Sequence, residues 1–285
     1  MTGLYAVSSC INNGLTRGEL LEAVASAGFR HVELGMDPEV PHSWAHDPAE
    51  MRRNLEAAGL EAFSVHVPSA GWKCCHPDDE VRRGAVEASA ACFRSAVEVG
   101  AGVVVVHATS PDAPLTEDEL SANRARACDS LARLAERAAP LGVKLAAENL
   151  PARGTARPGA LIGDLLEMIR PLGEGVGVCL DAGHSNANGA SAAEEVRAAG
   201  EKLLAVHMHD NDGRGEDLHW FPGRGTVDWP AFLAALEEIG FQSPRSFEVP
   251  SRRGSTRATL DDLAALVDEW SRSGGRNAER NDAQA

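Results

Sequence analysis

The chain has no CxxC pair, no long apolar run, few lysines and no glycine-rich nucleotide fingerprint, and each absence removes a class of function. Without CxxC, the cysteines (Cys10, Cys74, Cys75, Cys92, Cys128 and Cys179) offer neither a thiolate zinc site nor a dithiol couple, and they read as reduced thiols. No apolar stretch approaches bilayer-spanning length, and no basic segment followed by an apolar one opens the chain, so a soluble cytoplasmic protein with no membrane partner is expected. Lysine occurs only at Lys73, Lys144 and Lys202, and the formal net charge is -15. Polyanions need a concentrated basic surface, so no nucleic acid partner is expected. No GxGxxG or P-loop pattern follows any predicted strand, which removes the usual signature of an open nucleotide-binding sheet.

What is present is a repeated strand-helix unit. With 285 residues, 44% of them hydrophobic, the chain can bury one large core. Strands are expected at 4–10, 31–35, 61–68, 102–107, 144–149, 176–181, 205–210 and 245–250. Between them lie helix signals: Thr16 with Glu19 and Thr116 with Glu119 as capping boxes, Asp47-Pro48 as N-cap and first residue, and Asp78, Ser191 and Asp228 as further starts. The run Val103-Val104-Val105-Val106 lacks polar alternation, as a strand buried on both faces requires. Parallel strands need crossover helices, and eight such units can close a sheet. The prediction is a single (β/α)8 barrel over 1–272 with a disordered tail at 273–285.

In such a barrel, chemistry sits at the C-terminal strand ends. There the sequence places His66, His107, Glu148, Asp181, His207 and Glu248 on six consecutive strands. His184 follows Asp181 closely, and Asp217 and His219 come from a long Gly-bearing loop after the seventh strand. A lone histidine capping an apolar strand, such as His66 or His107, is more often a hydrogen-bonded core residue than a ligand. The carboxylates are more demanding: Glu148, Asp181 and Glu248 would repel one another unless a cation lay between them. Glu33 is expected in an ion pair or supporting role, and His209 as a residue that holds the seventh loop. Trp72, Trp220 and Phe221 are placed near the mouth to stack on a sugar or simply to pack. Cys74 and Cys75 are expected to pack in the third loop; no phosphate-binding loop is evident, although Arg153, Arg224 and Arg252 are available to a phosphate or carboxylate.

Taken in order, Glu148-Asn149, Asp181-Ala182-Gly183-His184, His207-Met208-His209-Asp210, Asp217-Leu218-His219, the segment from Pro222 to Trp229 and Glu248 resemble the xylose isomerase-like TIM-barrel superfamily. Its members include ketose 3-epimerases, hydroxypyruvate isomerases, inosose dehydratases and endonuclease IV-like apurinic endonucleases. The resemblance runs from the second strand to the eighth. It implies one divalent ion (Mn, Zn, Mg, Co or Fe) held by Glu148, Asp181, His207 and Glu248, with Glu148 and Glu248 exchanging the substrate proton. His184 would contact the sugar, alongside His66, His107 and Arg224. In the endonuclease branch a three-zinc cluster would add His66, His107, His184, Asp217 and His219 as ligands. The acidic charge and the segments His66-Val67-Pro68-Ser69 and Glu148-Asn149-Leu150-Pro151 depart from that branch. The implied activity is therefore a metal-dependent isomerase or epimerase working through an enediolate on a small carbohydrate. A dehydratase or lyase and a non-catalytic sugar-binding barrel stay open, as does assembly into a homo-oligomer.

Overall fold

Both capping boxes form: Thr16 and Thr116 each accept from the backbone three residues on, while Glu19 and Glu119 accept back from the cap residues. Asp47 caps a helix that begins at Pro48, and Asp78, Ser191 and Asp228 cap theirs. Strand and helix therefore alternate where the side chains demand it. The computed structural model describes residues 2–35, 47–68, 73–109 and 116–282, so Ser69 and Trp72 lie outside the described residues.

Among those residues the strands are β1 Tyr5–Ser8, β2 His31–Gly35, β3 Glu61–His66, β4 Val103–His107, β5 Lys144–Glu148, β6 Val176–Asp181, β7 Leu203–Met208 and β8 Arg245–Phe247. All neighbouring pairs are parallel, and β8 pairs β1, which closes the barrel in chain order. The helices are α1 Arg17–Ser26, α2 Pro48–Ala58, α3 Asp79–Val99, α4 Glu117–Ala138, α5 Ile162–Ile169, α6 Ala182–Ala187, α7 Ala192–Ala199, α8 Trp229–Glu238 and α9 Thr256–Asp282. The eighth strand is shorter than expected. Glu248 lies just past it, although its N–H still donates to the Met208 carbonyl at 3.2 Å. β7 likewise stops at Met208, because Asp210 leaves the sheet to make an isolated antiparallel bridge with Trp220.

Side chains alternate across a strand, so parity divides the barrel into an inner and an outer set. Val104, Val106, Leu145, Ala147, Val178, Leu180 and Val206 belong to the main core that packs under the helices. Val105, Ala146, Cys179 and Ala205 form a separate buried cluster inside the barrel. Two residues further along the same strands come His107, Glu148, Asp181 and His207. The inner apolar layer is thus the floor on which the polar groups stand.

Candidate metal centre

Glu148 is the hub of the rim. Its Oε2 lies 3.1 Å from His66 Nε2 and 3.0 Å from His107 Nε2, and its Oε1 lies 3.1 Å from His207 Nδ1. His207 is fully buried and bridges two sides of the barrel. Its Nε2 meets the Glu33 carboxylate at 3.0 Å, while its Nδ1 also faces Glu248 Oε2 at 3.2 Å and Asp181 Oδ2 at 3.9 Å. Ser64 donates to Glu33 at 2.6 Å. With its Nε2–H given to Glu33, His207 turns Nδ1 toward three carboxylates, an orientation that suits a metal ligand once Nδ1 loses its proton.

The fit to a cation follows from the donor set. Glu148, Asp181, His207 and Glu248 bring four ligand atoms within 4.8 Å of one another. Asp181 Oδ2 is buried with no hydrogen-bond partner among the described residues, a costly state that a hard cation relieves. Burial pushes the carboxyls of Glu148 and Glu248 up, but the charge of His207 outweighs it and holds both well below the ordinary range. His66 is pushed up to about 9: burial opposes its protonation, and its hydrogen bond and charge contact with Glu148 prevail. His107 goes the other way, because burial dominates there. Protons on His66 and His207 thus supply positive charge in the place where an ion would supply it.

A second group of side chains stands beside the first. His184, His209, Asp217 and His219 also bring their ligand atoms within 4.8 Å of each other. His184 donates from Nδ1 to the Asn149 carbonyl at 2.8 Å, and His219 donates from Nδ1 to the Glu248 carbonyl at 2.8 Å. Each is left with Nε2 toward Asp217, at 3.4 and 3.1 Å. His219 holds a left-handed φ of 44°, strain of the kind found at functional sites. His184 Nε2, Asp217 Oδ1 and both nitrogens of His209 are buried without a well-aligned hydrogen bond, although His209 Nε2 lies 2.9 Å from Asp181 Oδ1. Burial works against protonation of His184 and His219, yet neighbouring carboxylates push them up to about 9 and about 10. The same contacts hold Asp217 far below the usual carboxylate range despite its burial.

α6, which periodicity did not reveal, positions His184. Asp181 is both a rim carboxylate and the N-cap of this helix, accepting from His184 N at 2.7 Å. The helix passes so close to the seventh strand end that a Cβ on Gly183 would lie 2.1 Å from the His209 ring. Gly183→Ala is therefore expected to displace His209 and to cost about 1–3 kcal/mol of stability by overpacking. A thermal melt of the variant checks this; an unchanged midpoint would show that the ring moves freely.

His209 meets the seventh loop by stacking on His219, with ring centroids 3.9 Å apart, and the adjacent Asp210 ties the loop's backbone. The Asp210 carboxylate accepts from Gly223 N at 2.8 Å, Val227 N at 3.2 Å and Trp229 Nε1 at 3.0 Å. Arg224 is exposed in the turn this creates, and no side-chain hydrogen bond or ion pair ties it to the rim among the described residues. Trp220 is exposed, and Phe221 lies under the Arg252 guanidinium at 4.6 Å, with Arg252 also 3.4 Å from Asp262. Cys74 and Cys75 are buried in the third loop.

Comparison with known proteins fits this geometry. The family model for the xylose isomerase-like TIM barrel matches residues 21–270. A 3-dehydroshikimate dehydratase from Pseudomonas aeruginosa is 30% identical over 263 residues, 88% of this chain and 39% of that protein. An L-ribulose 3-epimerase from Methylomonas sp. is 27% identical over 241 residues, 80% of this chain and 76% of the relative. Among solved structures, a D-tagatose 3-epimerase-like protein superposes with a TM-score of 0.77 at 25% identity, covering 94% of this chain and 99% of the other. A closed barrel, a rim of carboxylates and histidines and a family match over most of the chain lead to one conclusion: this protein belongs to the xylose isomerase-like TIM-barrel family.

Proposed function

We propose that this chain is a divalent-metal-dependent isomerase or epimerase acting through an enediolate on a small carbohydrate or polyol-derived ketone. The observation that carries the reading is the convergence of Glu148, Asp181 and Glu248 on His207 Nδ1, all on the inner rim. When bound there, a divalent ion supplies the positive charge that acidifies a C–H beside a carbonyl and favours the enediolate. Glu248 is placed to take that proton: its side chain is 17% exposed, and only Oε2 is engaged with His207. Glu148, from the other side of the rim, is placed to return one, with His66 and His107 steadying its second oxygen. Return to the same carbon on the opposite face gives epimerisation, and return to the neighbouring carbon gives isomerisation. The test is incubation of the Mn-loaded protein with a panel of ketoses in D2O. Deuterium is expected beside the carbonyl, and its absence from every ketose overturns the reading.

The likeness to a dehydratase favours a second outcome of the same proton abstraction, loss of a β-hydroxyl from the enediolate. Net formation of an enone in that experiment, instead of a new stereocentre, distinguishes it.

The convergence of ligand atoms from His184, His209, Asp217 and His219 within 4.8 Å of one another favours a further ion in the second group. Metal content is expected to be about two per chain at saturation, falling to about one in Asp217→Ala, since removing the shared carboxylate leaves the first set intact. A content of one in both proteins would reject the second ion.

A further inference from the structure

Beyond the ion and the proton-transfer pair, the rim carries an unusual cation. Arg157 lies in the loop between β5 and α5. Its Nε donates to Thr109 Oγ1 at 3.1 Å, its Nη2 to the Thr109 carbonyl at 2.6 Å and its Nη1 to the Pro151 carbonyl at 2.9 Å. Thr109 stands two residues past His107 and Pro151 three past Glu148, so the guanidinium bridges the loops that follow the fourth and fifth strands. The carboxylates of Glu148 and Asp217, one from each group of ligands, favour its charged form. All its hydrogen-bond partners are neutral, and no carboxylate pairs with it among the described residues. Its other N–H groups have no hydrogen-bond partner among the described residues.

The loop that carries Arg157 is held on several sides. Asn188 accepts from Ala152 N at 2.8 Å and donates to the carbonyls of Leu150 at 3.1 Å and Ala160 at 2.8 Å. Thr109 donates to the Pro158 carbonyl at 2.9 Å. Arg153, in the same loop, sits at a left-handed φ of 50° and adds a second positive charge within reach of the first. Burial pulls Arg157 down to about 10, with Arg153 acting in the same direction. A cation that is fixed in place, partly desolvated and near another cation is strongly relieved by an anion.

We infer that Arg157 is an anion-recognition site for the substrate, receiving a carboxylate or phosphate borne away from the reacting carbon. This rests on the proton-transfer reading for what that substrate is, and it narrows the class from neutral sugars to acidic ones. Arg224 and Arg252, the arginines of the seventh and eighth loops, are otherwise disposed: one is exposed, and the other is stacked and ion-paired.

Calorimetric titration of the Mn-loaded full chain with D-fructose, D-fructose 6-phosphate and 5-keto-D-gluconate tests it. One of the two anions is expected to bind at least roughly tenfold more tightly than D-fructose, and which one identifies the source of the charge. Arg157→Gln is expected to remove that preference, and Arg157→Lys to keep part of it, since lysine retains a point charge without the fork. Should Arg157→Gln fail to fold, the preference in the unmodified chain and its decline with added salt still decide the matter. Equal binding of all three, or a preference that survives Arg157→Gln, overturns the inference and leaves deuterium exchange as a separate test of the chemistry. An anion preference without exchange overturns the chemistry and leaves the anion site.

Discussion

Glu248→Gln is expected to lower kcat by about 10³-fold and to abolish exchange of the substrate proton with solvent, in line with loss of a general base. Gln keeps the volume and one ligand oxygen but cannot accept a proton at neutral pH. Glu248 is partly exposed on the cavity side and engages His207 through Oε2 alone, so the loss of charge falls on the atom that would meet substrate. Glu148→Gln is expected to fail as completely by another route. Both of its oxygens are committed, to His66, His107 and His207, and a carboxamide NH2 would face a ring nitrogen. The variant should therefore lose bound metal along with activity, whereas Glu248→Gln should retain more of it. Measuring metal content and deuterium incorporation side by side separates the two. Exchange retained in both variants would exclude these glutamates as the proton-transfer pair.

The sequence carried the barrel because its signals are local: eight apolar runs of strand length, six of them followed by a cap residue, with helical stripes between them. It carried the carboxylates too, since Glu148 and Asp181 end runs whose parity points them inward. What it did not carry depends on distance across the barrel. Glu33 and His207 are 174 residues apart, and only the closed sheet brings them to 3.1 Å. The role of Asp210 was likewise not legible. β7 ends at Met208, after which alternation no longer predicts direction, and Asp210 turns to collect the N–H groups of its own loop. α6 escaped notice because Ala182–Ala187 is too short for a stripe, although Asp181 as a helix cap was a signal that could have found it. Arg157 had no motif at all; its meaning comes from the two loops it ties together.

Stripping divalent ions with EDTA at pH 8 is expected to abolish turnover, to be reversed by added Mn or another divalent ion, and to lower the melting temperature. With free ion at a thousandfold excess over Kd, binding contributes about 4 kcal/mol, which in a chain of this size is roughly 10 °C. The pH dependence of that gain tests the electrostatics. In the ion-free chain, His66, His184 and His219 have pKa values raised to about 9, 9 and 10, and that of His207 is raised as well. Their contribution to stability is fully present below the unfolded value near 6.5 and is lost as pH rises through about 9 to 10. Glu148, Glu248 and Asp217 are depressed, so their contribution is present above about pH 4 and is lost as pH falls. The ion-free chain should accordingly be most stable between about pH 5 and 6.5 and weaken toward alkaline pH. Metal ligation reverses that slope, because His207 must be deprotonated at Nδ1 to bind and hydroxide no longer removes the charge that holds the carboxylates together. The stabilisation conferred by the ion should therefore grow from pH 6 to pH 9, and binding at pH 7.5 should release protons into a weakly buffered solution. A gain that is flat with pH and proton-free would mean that the histidines are already neutral, and the carboxylates would then be held together by something other than the protons that the ion replaces.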